Sequence, residues 1–144
     1  MIDRAWIAAR IPHAGDMCLL DAVDEWSADA IVCRASSHRL PGNPLRAGGQ
    51  LGITAGIEYA AQAMAVHGAL LAGSDTAPTA GYLVSVRDVH WQHPRLDDRA
   101  GDLEVSAERL SGNGTNVLYR FSLCADGEVL LSGRAGVVLD ASQS

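Results

Sequence analysis

The chain has 144 residues, a length suited to one domain spanning 1–144. Hydrophobic residues make up 48% and charged residues 19%, which excludes a disordered chain and leaves enough apolar mass for a real core. The net charge of −6, with no basic patch interleaved with aromatics, argues against nucleic acid as a partner, and an acidic surface argues against docking on anionic membranes.

In chain order, residues 3–10 read as a short helix with Asp3 as its cap and Pro12 at its end. The opening "MIDRAWIAARIPH" lacks a long apolar stretch and carries an early acid, so no secretory signal is expected. "LLDAVDEW" (19–26) and "DAIVCRAS" (29–36) alternate around Ser27-Ala28 and predict a hairpin. "HRLPGNPLRAGG" (38–49) is a loop. Residues 50–72 read as one long helix. Beyond Pro78, residues 81–91, 102–110, 116–125 and 128–139 favour strands, with hairpin turns at Asn113-Gly114 and Asp126-Gly127. Cys18, Cys33 and Cys124 lack metal-like spacing. A sparse, odd set of cysteines points to reduced thiols and a cytoplasmic location.

Antiparallel strands with one segregated helix define an α+β class. Ile53, Ile57, Ala60, Ala61, Met64 and Leu71 share one face of the 50–72 helix, and further apolar residues cover much of the rest. A helix apolar nearly all round is expected to be buried nearly all round, so the sheet must curve about it. A curved antiparallel sheet wrapped around one long central helix is the hotdog arrangement. Gly52, Gly56 and Gly68 are tolerable in such a helix where its backbone lies close to the sheet.

Within this apolar segment Glu58 is the one formal charge between Arg46 and Asp75. Thr54, Glu58 and Gln62, four residues apart, form a thin polar stripe. A carboxyl enclosed by apolar groups tends to hold its proton, which is what a general acid needs. The alternative is a structural Glu58 paired with an arginine from the sheet, such as Arg87 or Arg120. The loop ahead of the helix supplies His38, a natural base, and glycines whose N–H groups can hold a developing oxyanion.

"IPHAGDMCLLDAV" (11–23), "HRLPGNPLRAGG" (38–49) and "GIEYAAQAMA" (56–65) resemble motifs of the hotdog 3-hydroxyacyl-[acyl-carrier-protein] dehydratases, nearest to the dehydratases of aryl-polyene biosynthesis. In that resemblance Glu58 matches the motif glutamate, Gln62 the glutamine four residues later, and His38 the loop histidine, with His13 as a second candidate base. Ala47-Gly48-Gly49 replaces the second Pro-Gly of the pattern. The resemblance implies β-elimination of water from a 3-hydroxyacyl thioester in fatty-acid-like or polyene biosynthesis. A histidine takes the α proton, an N–H of Gly48 or Gly49 meets the thioester oxygen, Gln62 lines the substrate site, and Glu58 protonates the leaving hydroxyl. No metal or other cofactor is implied. The implied partners are an acyl-ACP or acyl-CoA thioester, an acyl carrier protein, and a second copy of the chain. In such enzymes the histidine and acid come from different subunits of a dimer, and dimers can assemble further.

Two rival readings stay open: a thioesterase on the same fold, with Glu58 ionised to activate water, and a catalytically silent subunit supporting an active partner. Tyr59 reads as core. His67, on the helix side opposite Glu58, reads as structural or as a subunit contact. His90 and His93 do not read as a metal pair. "LDDRAGD" (96–102) reads as a solvated acidic turn whose Asp97-Asp98 pair has no chemical role.

Overall fold

A computed structural model describes residues 2–11, 15–73, 81–112 and 116–139. The chain begins with a two-residue strand, β1 (Ile2–Asp3), and the short helix α1 (Arg4–Ala8). Asp3 caps α1 by accepting the Trp6 N–H at 3.0 Å, as its position predicts. The hairpin is β2 (Ala22–Trp26) and β3 (Ala30–Ala35), closed by the Ser27 N–H on the Ala30 carbonyl at 2.8 Å. The central helix α2 (Gly56–Ala72) follows, then β4 (Gly81–Trp91), β5 (Leu103–Gly112), β6 (Asn116–Ala125) and β7 (Glu128–Leu139).

These strands form one antiparallel seven-stranded sheet in the order β1-β2-β3-β5-β6-β7-β4. Six of the seven follow from the alternation of the sequence; β1 is too short to give a periodic signal. Asp126 and Gly127 turn β6 into β7 with φ of 52° and 81°, the backbone that a two-residue hairpin needs. The Asn113-Gly114 turn lies outside the described residues.

One face of the sheet carries the core. Along β6, Val117, Tyr119, Phe121 and Leu123 are buried while the alternate residues are not. The opposite face places Glu108, Arg120, Arg134 and Arg87 side by side in register across β5, β6, β7 and β4. Arg120 therefore pairs with Glu108 at 3.1 Å, and Arg87 is exposed on the outermost strand. Neither arginine is Glu58's partner, because both extend from the face that α2 does not cover.

Helix α2 starts later than its apolar pattern suggests. Residues Ile53–Ala55 form a tight 3-10 turn, and the α-helix begins at Gly56. Close approach explains one of the three glycines. A Cβ on Gly56 would lie 2.6 Å from Leu131 Cδ2 and 3.0 Å from Leu123 Cδ2, whereas one on Gly52 or Gly68 would meet nothing within 4 Å.

Nor is the helix enclosed all round in this chain. The sheet covers the side bearing Gly56 and His67, and the segments before and after β2–β3 cover the side bearing Tyr59 and Gln62. A third stripe, Ile57, Glu58, Ala61, Ala65 and Gly68, is half-buried, and Leu71 is exposed. Its small and apolar composition is what made the helix read as wholly buried.

Candidate active site

The 36–51 loop and the 94–102 segment meet ahead of α2, where the Leu96 N–H donates to the Leu51 carbonyl at 2.8 Å and the Ile53 N–H to the Pro94 carbonyl at 3.0 Å. Tyr59 organises the first layer. Ser37 gives its one proton to the Leu19 carbonyl at 2.8 Å, so the Tyr59 hydroxyl must donate to Ser37 Oγ at 2.7 Å. Asn43 Nδ2 donates to Tyr59 Oη at 3.1 Å and to the Ser37 carbonyl at 3.0 Å. The result is a buried chain of hydrogen bonds of fixed direction, which places the 36–43 turn against α2.

His38 sits in this turn with no exposed surface. Its Nε2 lies 3.1 Å from the Arg99 carbonyl. A carbonyl only accepts, so Nε2 carries the hydrogen and the lone pair of the neutral ring is on Nδ1. Nδ1 is buried and has no hydrogen-bond partner among the described residues. Burial lowers the imidazole's pKa, and the Arg39 cation adds to this, while the Arg99 and Gly101 backbone and the Asp102 carboxylate oppose it. Burial thereby favours the neutral ring, the state a general base requires.

Glu58 lies in the first turn of α2 and is half-buried rather than enclosed, because it belongs to the uncovered stripe. Gln62 is one turn further along and has no exposed surface. Its Oε1 accepts the Leu19 N–H at 2.9 Å and its Nε2 donates to the Met17 carbonyl. Both ends of the amide thus tie residues 17–19 to the helix, and Gln62 is a buried staple in this chain rather than a substrate-facing side chain. His13 lies outside the described residues.

Gly48 and Gly49 form the tip of a small turn of their own, with φ of 60° and 80°. Ala47 and Gln50 bridge its base through N–H···O bonds of 2.8 and 3.1 Å. Positive φ at both positions demands glycine here. The turn stands seven residues ahead of Gly56 and is exposed, so these glycines are not part of the helix start as the sequence suggested.

Arg46 holds the loop together. Its guanidinium donates to the carbonyls of Leu40 at 2.9 Å, Gly49 at 2.9 Å and His38 at 3.2 Å. Asp97 faces it from the other side at 3.6 Å, accepts the Leu51 N–H at 3.0 Å, and pairs with Arg95. The Arg95 guanidinium holds the Asp97 carboxyl well below the usual carboxylate range. The expectation of a solvated 96–102 turn fails for Asp97, whose side chain is 6% exposed. A run of acids reads as surface because charge normally avoids burial; here Arg95, two residues earlier, and Arg46, from the distant loop, make burial tolerable.

Two of the other described histidines have partners of their own. His67, buried near the far end of α2, donates from Nε2 to the Ser27 carbonyl at 2.8 Å and accepts from the Tyr119 hydroxyl at Nδ1 at 2.7 Å. His93 lies 3.1 Å from Glu128, which also meets Arg99.

The sheet and its single long helix define a hotdog protein, of the class that includes dehydratases and thioesterases. The chain matches the ApeP-like family, described as ApeP dehydratase, over residues 5–143, and it belongs to that family. Among solved structures it is similar to the dehydratase heterocomplex ApeI:P from Xenorhabdus doucetiae, with a TM-score of 0.81 and 20% identity over 99% of this chain and 94% of that one. It is also similar in fold to a mutant thioesterase from Pseudomonas aeruginosa, with a TM-score of 0.60 and 14% identity over 82% of this chain and 79% of that one. A thioesterase from Haemophilus influenzae gives a TM-score of 0.56 and 10% identity over 82% and 78% of the two chains. No curated protein matches. Among the described residues no helix is long and apolar enough to cross a membrane.

Proposed function

We propose that this chain is a dehydratase that eliminates water from a 3-hydroxyacyl thioester carried on an acyl carrier protein, in a polyene-forming pathway. The observation that carries the reading is the His38 imidazole, held neutral with its Nδ1 lone pair uncommitted in the loop before Glu58. Membership of a dehydratase family supports it.

In this reading substrate binding uncovers Nδ1, which takes a proton from C2, and the C–H electrons become the C2–C3 double bond as the C3–O bond breaks. The Glu58 carboxyl gives its proton to the leaving oxygen, which departs as water. The N–H of Gly48 or Gly49 meets the charge that develops on the thioester oxygen. Return of the proton from imidazolium to carboxylate closes the cycle, and the product is a 2-enoyl thioester.

The reading includes a second hotdog subunit. Strand β4 is the last of the sheet and pairs only with β7 among the described residues, which leaves the other side of an eleven-residue strand open. The stripe that carries Glu58 is half-buried. The similar ApeI:P structure is a heterocomplex, so the second subunit is either another copy of this chain or a different hotdog chain.

The complete burial of His38 favours a second reading, in which the chain is silent and supports an active partner. One experiment separates them. The chain, alone and co-purified with a partner subunit, is given a 3-hydroxyacyl thioester. Formation of the 2-enoyl thioester that depends on Glu58 and His38 of this chain supports the proposal. Activity of the pair that survives both Glu58→Gln and His38→Ala assigns the chemistry to the partner, and release of free thiol assigns the chain to the thioesterases.

A further inference from the structure

The mechanism above uses His38 and the Gly48-Gly49 turn together, yet the two are ten residues apart and neither is in a regular element. One side chain spans the gap. Arg46 grips the His38 and Gly49 carbonyls with two nitrogens of a single rigid fork, and the Leu40 carbonyl with the third. Because that fork is planar, it fixes the position of the histidine backbone relative to the glycine turn.

The fork needs a support of its own. Asp97 provides it, 3.6 Å from Arg46 and with little exposed surface. Through Oδ1 the same carboxylate also takes the Leu51 N–H, just after the glycine turn, and the Arg95 guanidinium steadies the carboxylate from the side. Two residues on, the Arg99 carbonyl accepts from the His38 ring. The 95–99 segment thus sets both the ring orientation of His38 and the shape of the loop that carries it.

We infer that Asp97, acting through Arg46 and the Leu51 amide, is a positioning residue that holds the His38 turn and the Gly48-Gly49 turn in their working arrangement. The inference rests on the dehydratase reading for its catalytic consequence, but the clamp itself can be measured without turnover. Asp97→Asn keeps an oxygen for the Leu51 N–H and removes the charge that faces Arg46. Asp97→Ala removes both. Tyr119→Phe, which loosens the distant His67 contact, serves as a control for general loss of stability.

Two measurements are made on each full-length variant: steady-state dehydration by the active assembly, and backbone ¹⁵N order parameters at Gly48 and Gly49. Asp97→Asn should lower kcat by about 10–100-fold with KM within about threefold, since small misplacements of reacting groups are costly. The Gly48 and Gly49 order parameters should fall toward the range of flexible loops, below about 0.6. Tyr119→Phe should move neither. If Asp97→Ala does not fold, Arg46→Lys gives the same reading, because a compact ammonium cannot hold three carbonyls in one plane. Unchanged kcat in the Asp97 variants, or a loss matched by Tyr119→Phe, overturns the inference. If the wild-type assembly does not dehydrate, the function proposed above fails. The clamp is then judged on the order parameters, and values equal to wild type in Asp97→Asn and Asp97→Ala overturn it.

Discussion

His38 and His67 make an instructive pair. Each ring is completely buried, and each donates from Nε2 to a backbone carbonyl, of Arg99 in one case and of Ser27 in the other. Burial is the leading cause of a lowered pKa in both. They differ at Nδ1. His67 accepts the Tyr119 hydroxyl there, with the rings edge to face, and every polar atom of the ring has a partner. The same atom of His38 has none among the described residues. A buried polar atom without a hydrogen-bond partner is uncommon in a folded core, and it marks His38 rather than His67 as the candidate base. Depth of burial does not separate a structural histidine from a candidate base; the second nitrogen does.

The sharpest way to break this contrast is activity. His38→Ala and Glu58→Gln should each lower the dehydration rate by about 10²–10⁴-fold with the fold retained, as loss of a proton-transfer group does. His67→Gln should leave kcat within about threefold. Steady-state assay of 2-enoyl thioester formation, with circular dichroism to confirm folding, decides it, and equal losses at the two histidines would erase the distinction.

Stability should rank the pair in the reverse order. His67→Ala strands the Ser27 carbonyl and the Tyr119 hydroxyl in the core and opens a cavity, at a cost of about 3–5 kcal/mol. His38→Ala also opens a cavity, but it strands no side-chain hydroxyl and removes a nitrogen without a hydrogen-bond partner among the described residues. It should cost at least about 1 kcal/mol less, as read from urea unfolding. A smaller effect is expected one layer out. Tyr59→Phe breaks the hydrogen-bond chain at its middle, leaving Ser37 Oγ without its donor, and should cost about 1–2 kcal/mol in the same measurement.

The pH dependence of unfolding should show the mildest signal. Both folded imidazoles bind a proton less readily than the unfolded chain, whose ordinary value is 6.5. The stability they contribute is therefore complete above pH 6.5 and is lost as the pH falls below it toward the lowered folded values. His67→Gln should flatten part of that slope. A slope that steepens in the variant would contradict the assignment of a neutral, buried ring.

Much of this arrangement is legible in the residues. The alternation of β2 to β7, the Asp126-Gly127 turn and the Asp3 cap follow from local chemistry, and the proposal of Glu58 as acid and His38 as base starts from the same local motifs. Harder to read were residues whose partners lie far along the chain. Asp97 looks solvated until Arg46, 51 positions earlier, is brought beside it. Gln62 looks like part of a polar stripe until residues 17–19 fold back onto it. Ser37 and Asn43 carry no catalytic signature, yet they fix the turn on which His38 sits.

The sequence by itself determined the class of fold and the membership of a dehydratase family, because periodicity, turn residues and short motifs act over a few neighbouring positions. Which nitrogen of His38 keeps a free lone pair, which side of α2 stays uncovered, and how one arginine joins two turns were decided only by the tertiary structure. Each depends on a carbonyl, a carboxylate or a strand edge supplied from a distant part of the chain, and no local pattern encodes that meeting.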